Sequence, residues 1–178
     1  MTIHDYNAIA IVHDNTLPPV NIQPKLADRL TREFFNQGIH ETYPLDLFFA
    51  VADVDKRTFV NAHLLPIIAH TPLERRFDGY ANEVFGRFRV CADGLSGYLS
   101  NLVERLGKRS EVAKRRADVI KERYIKTGRL QTLEVVGRNS GVSRGRAEQL
   151  EKDGIKSLKR RAKRLTNLAE QLFSLPIN

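Results

Sequence analysis

The 178-residue chain has no tryptophan and one cysteine, Cys91. A single thiol excludes an internal disulfide and any metal site built from several cysteines. Such cysteine usage fits a reducing cytoplasm. No apolar run comes near the roughly 20 residues that cross a bilayer, so no membrane contact is expected. Met1 to Asn7 holds no lysine or arginine ahead of a weak apolar patch, so no secretory leader is expected. No glycine loop of the phosphate-cradling kind occurs. Basic residues are scarce early on: residues 1–100 hold 9 Lys and Arg against 12 Asp and Glu, a net of −3.

What the first hundred residues lack, the remainder supplies. Residues 101–178 hold 20 Lys and Arg against 9 Asp and Glu, a net of +11, and the whole chain carries +8. This asymmetry suggests a basic nucleic-acid module joined to a near-neutral one. The bland reading is a solvated helical surface. Apolar residues make up 42%, enough for a packed core and unlike a disordered composition.

Catalytic and metal constellations are thin, and neither an enzyme nor a cofactor is expected. His63 and His70 are seven apart, which would share a helical face, but Pro66 lies between them and no third ligand has recognisable spacing. His40-Glu41 is isolated. Asp53 and Asp55 read as a solvated loop. Cys91 falls on an apolar stripe and reads as a small packed hydrophobe. Phe34, Phe48, Phe85 and Phe88 sit at helical spacings and read as core, not as platforms for stacking bases.

The pattern is all-α. Residues 1–22 contain Ala8 to Val12, a short apolar run, and then Leu17-Pro-Pro-Val-Asn, which forbids helix; an extended arm or tail is expected. Residues 23–107 read as a helical domain of unknown role. Pro24 can open a helix to about Asn36, with a Gly38 stop. Pro44 opens a second. A third, Thr58 to Ala69, is expected to be interrupted at Pro66. From Asp78 to Leu106, Tyr80, Val84, Phe88, Cys91, Leu95, Leu99, Leu102 and Leu106 form one stripe. Gly94 and Gly97 mark a kink, a close crossing or a break. Gly107-Lys-Arg-Ser110 is the expected hinge, and residues 108–165 the basic DNA-binding domain. There, Ser110 caps a helix with Ala113, Ala117, Ile120 and Tyr124 inward. From Ser143 the helical spacing persists to Leu168, with Gly154 and Thr166-Asn167 as weak points. Residues 166–178 are expected as a tail.

Within the basic part, Thr132 to Glu151 reads as two short helices around a sharp turn. Thr132 can cap the first helix, which turns Leu133, Val136 and Gly137 to one side. Asn139-Ser140-Gly141 breaks it, Gly141 supplying positive φ. Val142 plugs the corner. Ser143 caps the second helix, with Ala147 and Leu150 inward and Arg144, Arg146, Glu148, Gln149 and Lys152 outward. This is the helix-turn-helix pattern, whose second helix enters the major groove.

The agreement goes beyond the generic motif. Thr132-Leu-Glu-x-Val136-Gly137, Gly141-Val-Ser-Arg144, Arg146-x-x-Gln149-x-Glu151 and Leu158-Lys-Arg160, with Arg116 to Tyr124 upstream, resemble region 4 of the bacterial sigma-70 family over about a quarter of the chain. The resemblance implies a DNA-binding set of Thr132, Arg138, Ser143, Arg144, Arg146, Gln149 and Lys152. Arg144 matches the arginine that reads the −35 element, Gln149 a position facing the bases. Arg146 and Lys152 would touch phosphate, as would the amide groups at the start of the Thr132 helix. Two residues depart from the family: Gly145 stands where a glutamate usually follows the arginine, and Glu148 where a basic residue is common. The implied partners are double-stranded promoter DNA, RNA polymerase and a second regulatory protein. Stand-alone proteins of this type activate phage-like or gene-transfer-agent genes. Val112, Val119 and Ile120 could either stay exposed to hold polymerase or pack on residues 78–106. Two other functions fit the same residues: a dimeric repressor with residues 78–106 as its dimer helix, and a protein–protein adaptor mimicking region 4.

Overall fold

The computed structural model describes residues 24–73 and 75–174. The arm expected over residues 1–22 lies outside them. Helix α1 (Pro24–Asn36) opens on a proline, whose missing amide hydrogen the first turn does not use. It ends before Gly38, at φ 64°. Helix α2 (Leu45–Ala52) is buried on almost every side. A helix apolar all round belongs at the centre of a domain, and α2 lies against the later helices α8 and α9. Helix α3 (Lys56–His70) is capped by Asp55, whose carboxylate accepts from the Thr58 amide at 2.7 Å. It runs through Pro66 without the expected interruption. The proline removes one internal hydrogen bond, and burial of Leu64, Ile67 and Ile68 around it keeps the backbone helical.

The expected stripe is divided between α4 (Phe77–Asp93) and α5 (Ser96–Gly107). Its apolar residues are buried throughout. The break falls at Gly94, where a Cβ would lie 2.8 Å from the Leu172 side chain. Leu172 belongs to α9 (Ala162–Ser174), which packs on α2 and α4. Residues 166–174, read from sequence as the start of a tail, are therefore helical. Leu165, Ala169 and Phe173 lie in the core, with Phe173 against Phe59 and Phe88 at ring separations of 5.4 and 4.7 Å.

Helix α6 (Glu111–Ile120) starts at Ser110, whose hydroxyl accepts from the Ala113 amide at 3.1 Å. It continues as a wider turn over Lys121–Ile125. Helices α7 (Leu133–Asn139) and α8 (Arg144–Leu158) follow, and a short 3-10 turn, Lys159–Arg161, leads into α9. Among the described residues there are nine α-helices and no strand, only an isolated bridge between Thr42 and Arg129.

The Gly107–Ser110 segment does not act as a hinge between separate cores. Helix α5 packs along α6, and a Cβ on Gly107 would sit 3.3 Å from that of Ala117. Ala113, Ala117, Ile120, Tyr124 and Leu158 share one buried cluster with α1 to α5. A smaller cluster, Val119, Val136, Ala147 and Leu150, holds α7 and α8 to α6.

Candidate nucleic-acid interface

The site is built around a glycine corner. Thr132 caps α7, its hydroxyl accepting from the Val135 amide at 3.4 Å. Gly141 takes φ 65°, a conformation that costs glycine little. The Val142 amide then donates back to the Gly137 carbonyl at 2.9 Å. A Cβ on Gly137 would stand 2.8 Å from the Val142 carbonyl oxygen and 3.3 Å from the Arg144 nitrogen. The two helices can approach this closely only where a side chain is missing. Ser143 caps α8, accepting from the Arg146 amide at 3.3 Å.

Helix α8 buries Ala147, Leu150, Gly154 and Leu158 and turns Arg144, Arg146, Gln149 and Lys152 to solvent. Gly154, a weak point in sequence, does not end the helix, which runs on to Leu158. A Cβ there would meet Ile120 Cδ1 at 2.6 Å, so this glycine lets α8 cross close over α6. Two links reinforce the crossing. Arg116 pairs with Asp153 at 3.2 Å. Glu151 receives Arg123 at 2.8 Å and the Tyr124 hydroxyl at 2.7 Å. Arg123 also donates to the Gln131 carbonyl, at the entry to α7. Burial, together with the Glu151 carboxylate, pushes the Tyr124 phenol well above its usual range. Sequence reading placed Glu151 in the motif but not in this network, because its partners come from the wider turn after α6, which no periodicity announces.

The outward face is electrostatically mixed. Arg144 pairs with Glu134 of α7 at 2.8 Å, both well exposed. It does not pair with Glu148, which instead holds Lys152 at 2.6 Å. That hydrogen bond lowers the Glu148 carboxyl and raises the Lys152 ammonium from their ordinary values. Gln149 donates to Asp153 at 3.1 Å. Arg138 and Arg146 are exposed and have no ion-pair partner among the described residues. Space above Gly145 is open, so α8 presents bare backbone beside Arg144. Exposed pairs such as Arg144–Glu134 are worth about 0–1 kcal/mol. A guanine edge or a phosphate can therefore displace the carboxylate at little expense. The residues named from sequence are all exposed: Thr132 before α7, Arg138 in its last turn, Ser143 at the corner, and Arg144, Arg146, Gln149 and Lys152 along α8. Glu134 and Asp153 are the additions the structure makes.

The other candidate clusters do not assemble. His63 is stacked between Phe59 and Phe173 at 4.3 and 4.8 Å, and burial lowers its pKa to about 4; His70 is exposed. His40 lies 3.5 Å from Glu41. Asp55 is a cap, and Asp53 pairs with Lys159 at 2.7 Å. Cys91 is buried. Among the described residues, no group of three or more His, Cys, Asp or Glu could hold a metal ion, and no helix is long and apolar enough to cross a membrane.

Residues 110–160 match the family model described as Sigma-70, region 4. The match begins at the Ser110 cap and ends just past α8, so it contains α6, the corner and the outer face of α8. No curated protein and no solved structure matches the chain. The helix pair is a DNA-binding helix-turn-helix of the sigma and regulator kind.

Proposed function

From the premise that residues 110–160 are a sigma-70 region 4 segment, we propose that the protein is a cytoplasmic transcription activator or sigma-like factor, not an enzyme. It binds promoter DNA through α8 and bridges that DNA to RNA polymerase, for genes of the phage-like or gene-transfer-agent kind. The observation carrying this reading is the placement of Arg144, Arg146, Gln149 and Lys152 on one exposed face, while Ala147 and Leu150 anchor the opposite face. A guanidinium such as that of Arg144 offers paired donors to guanine O6 and N7, and such a contact discriminates by about 1–3 kcal/mol.

Polymerase contact would use a limited surface. Val119 and Ile120 are buried, whereas Val112 is 53% exposed, so of these three Val112, at the start of α6, is open to a partner. In the repressor alternative, residues 78–106 would pair two copies. Their stripe is buried within this chain, with Val84, Phe88 and Leu99 at 0% exposure, which favours the activator reading. The test is co-purification of the full chain with core RNA polymerase, beside duplex binding at rising salt. Retention of polymerase together with salt-sensitive duplex binding is expected. Duplex binding without polymerase would turn the reading to a repressor. Polymerase retention with no duplex binding at low salt would turn it to an adaptor.

A further inference from the structure

The strongest unassigned feature is a block of cations where α8 hands over to α9. Lys156, Lys159, Arg160, Arg161, Lys163 and Arg164 are all exposed, and no acid interrupts the sequence between Asp153 and Glu170. Lys159 pairs with Asp53, which ties the junction to the end of α2. The other five have no ion-pair partner among the described residues.

This block works against the fold that carries it. Lys156 and Arg160, Lys159 and Lys163, and Arg160 and Arg164 are spaced four apart, where like charges on a helical path repel. The end of α8 tolerates cations, since its terminal carbonyls carry partial negative charge. The start of α9 does not: Lys163 and Arg164 fall in a first turn that contains no acid, where the helix favours anions. Packing does not account for them either, because Leu165, Ala169 and Phe173 do the burying on α9. A polyanion laid across the junction would offset the repulsion that the described residues leave uncompensated.

Its position relative to the reading face is set by α8 itself. Arg144 and Arg160 lie at opposite ends of about 16 residues, roughly 24 Å at 1.5 Å per residue. A duplex presents one phosphate charge per about 1.7 Å of its axis, so an anionic track of that length is available beyond the bases that Arg144 reads.

We propose that Lys156, Arg160, Arg161, Lys163 and Arg164 form a second, sequence-independent phosphate surface, which grips duplex DNA flanking the site read by α8. This rests on the DNA-binding reading of the preceding subsection. The surface supplies affinity and salt dependence, and α8 supplies the choice of sequence.

The test compares the full chain with the variant Arg160→Ala/Arg161→Ala/Lys163→Ala/Arg164→Ala. Each is titrated with a short duplex covering only the preferred site and with one extended by a helical turn on both sides. Arg75→Ala/Arg76→Ala/Arg89→Ala/Arg105→Ala, which likewise removes four exposed cations, serves as the control for net charge. Thermal unfolding confirms that each variant folds. The quadruple variant is expected to lose roughly tenfold or more in affinity for the long duplex. Its log–log salt slope should shrink by about 0.9 per lost phosphate contact, while its ratio of preferred to scrambled sequence stays unchanged. The control should bind as the unaltered chain does. Equal affinity and equal salt slope for the unaltered chain and the quadruple variant would overturn the surface while leaving the α8 reading intact. An equal loss in the control would also overturn it, reducing the effect to net charge. No duplex binding by the unaltered chain would sink both.

Discussion

Arg144 stands between two carboxylates with different roles. Glu134 holds its guanidinium at 2.8 Å, and Glu148 is occupied with Lys152. In the proposed reading, bound DNA competes with the first pair. Glu134→Gln removes that competitor and one negative charge from the exposed surface beside Arg144. It should tighten duplex binding by up to about fivefold, the equivalent of the 0–1 kcal/mol an exposed pair is worth; titration at fixed salt checks this. Lys152→Ala should weaken all sequences alike and flatten the salt slope by about one. Two groups that burial shifts in opposite senses, Asp46 and His63, shape the pH response. Asp46 is buried, with one carboxylate oxygen lacking a hydrogen-bond partner. Desolvation raises its pKa to about 7, against the pull of Lys56 and Arg123. The folded chain therefore holds this proton more tightly than the unfolded chain does. Its contribution to stability is complete below about pH 4 and is lost as pH rises to about 7. His63 acts in the opposite sense: its stabilising share is present above its ordinary pKa of 6.5 and is lost as pH falls to about 4. Asp46→Asn should hold its melting temperature above that of the unaltered chain at pH 8, with the difference shrinking toward pH 4. Parallel melting curves across that range would contradict the assignment.

At the scale of elements, the corner between α7 and α8 depends on Gly137. A methyl there meets the Val142 carbonyl oxygen at 2.8 Å, and that oxygen is backbone, which cannot swing aside. Gly137→Ala should destabilise by about 1–3 kcal/mol, as overpacking does, and should weaken duplex binding by displacing α8. Helix α9 carries a second element-level prediction. Phe173→Ala should cost about 3–5 kcal/mol, because the ring fills the space between α3 and α4 beside Phe59, His63 and Phe88. Thermal or urea unfolding reads both. These two elements also show what a sequence can and cannot disclose. The corner was legible residue by residue, since caps, positive φ and inward spacing are local properties of Thr132, Gly141, Ser143, Ala147 and Leu150. So was the stripe from Tyr80 to Leu106, because helical periodicity survives a break. The return of α9 into the first half was not legible. Leu165, Leu168, Leu172 and Phe173 give the spacing of an amphipathic helix, but nothing local says that Gly94 is its receptor. Pro66 misled for the same reason: a local helix breaker was overruled by the burial of Leu64, Ile67 and Ile68, which only the assembled fold supplies.

At the scale of the whole molecule, the boundary suggested by charge is not a boundary in packing. The near-neutral and basic parts differ by 14 units of net charge, −3 against +11, yet one buried cluster runs from Leu30 to Phe173. Backbone contacts add to it: the Tyr43 amide donates to the Gly128 carbonyl at 3.0 Å, and the Leu130 amide to the Glu41 carbonyl at 3.2 Å. The first half thereby fixes the loop that leads into α7. Calorimetry of the full chain should show a single cooperative transition, and two resolved transitions would mean that the parts fold apart. The claim on which everything rests is narrower, that the outer face of α8 reads base pairs. Its most direct measurement is the affinity ratio between a selected duplex and its scrambled counterpart, for the unaltered chain and for Arg144→Ala. The account predicts a clear preference in the unaltered chain, reduced in Arg144→Ala by about 1–3 kcal/mol while general affinity falls much less. A ratio of one in the unaltered chain, or a preference untouched by the loss of Arg144, would contradict it.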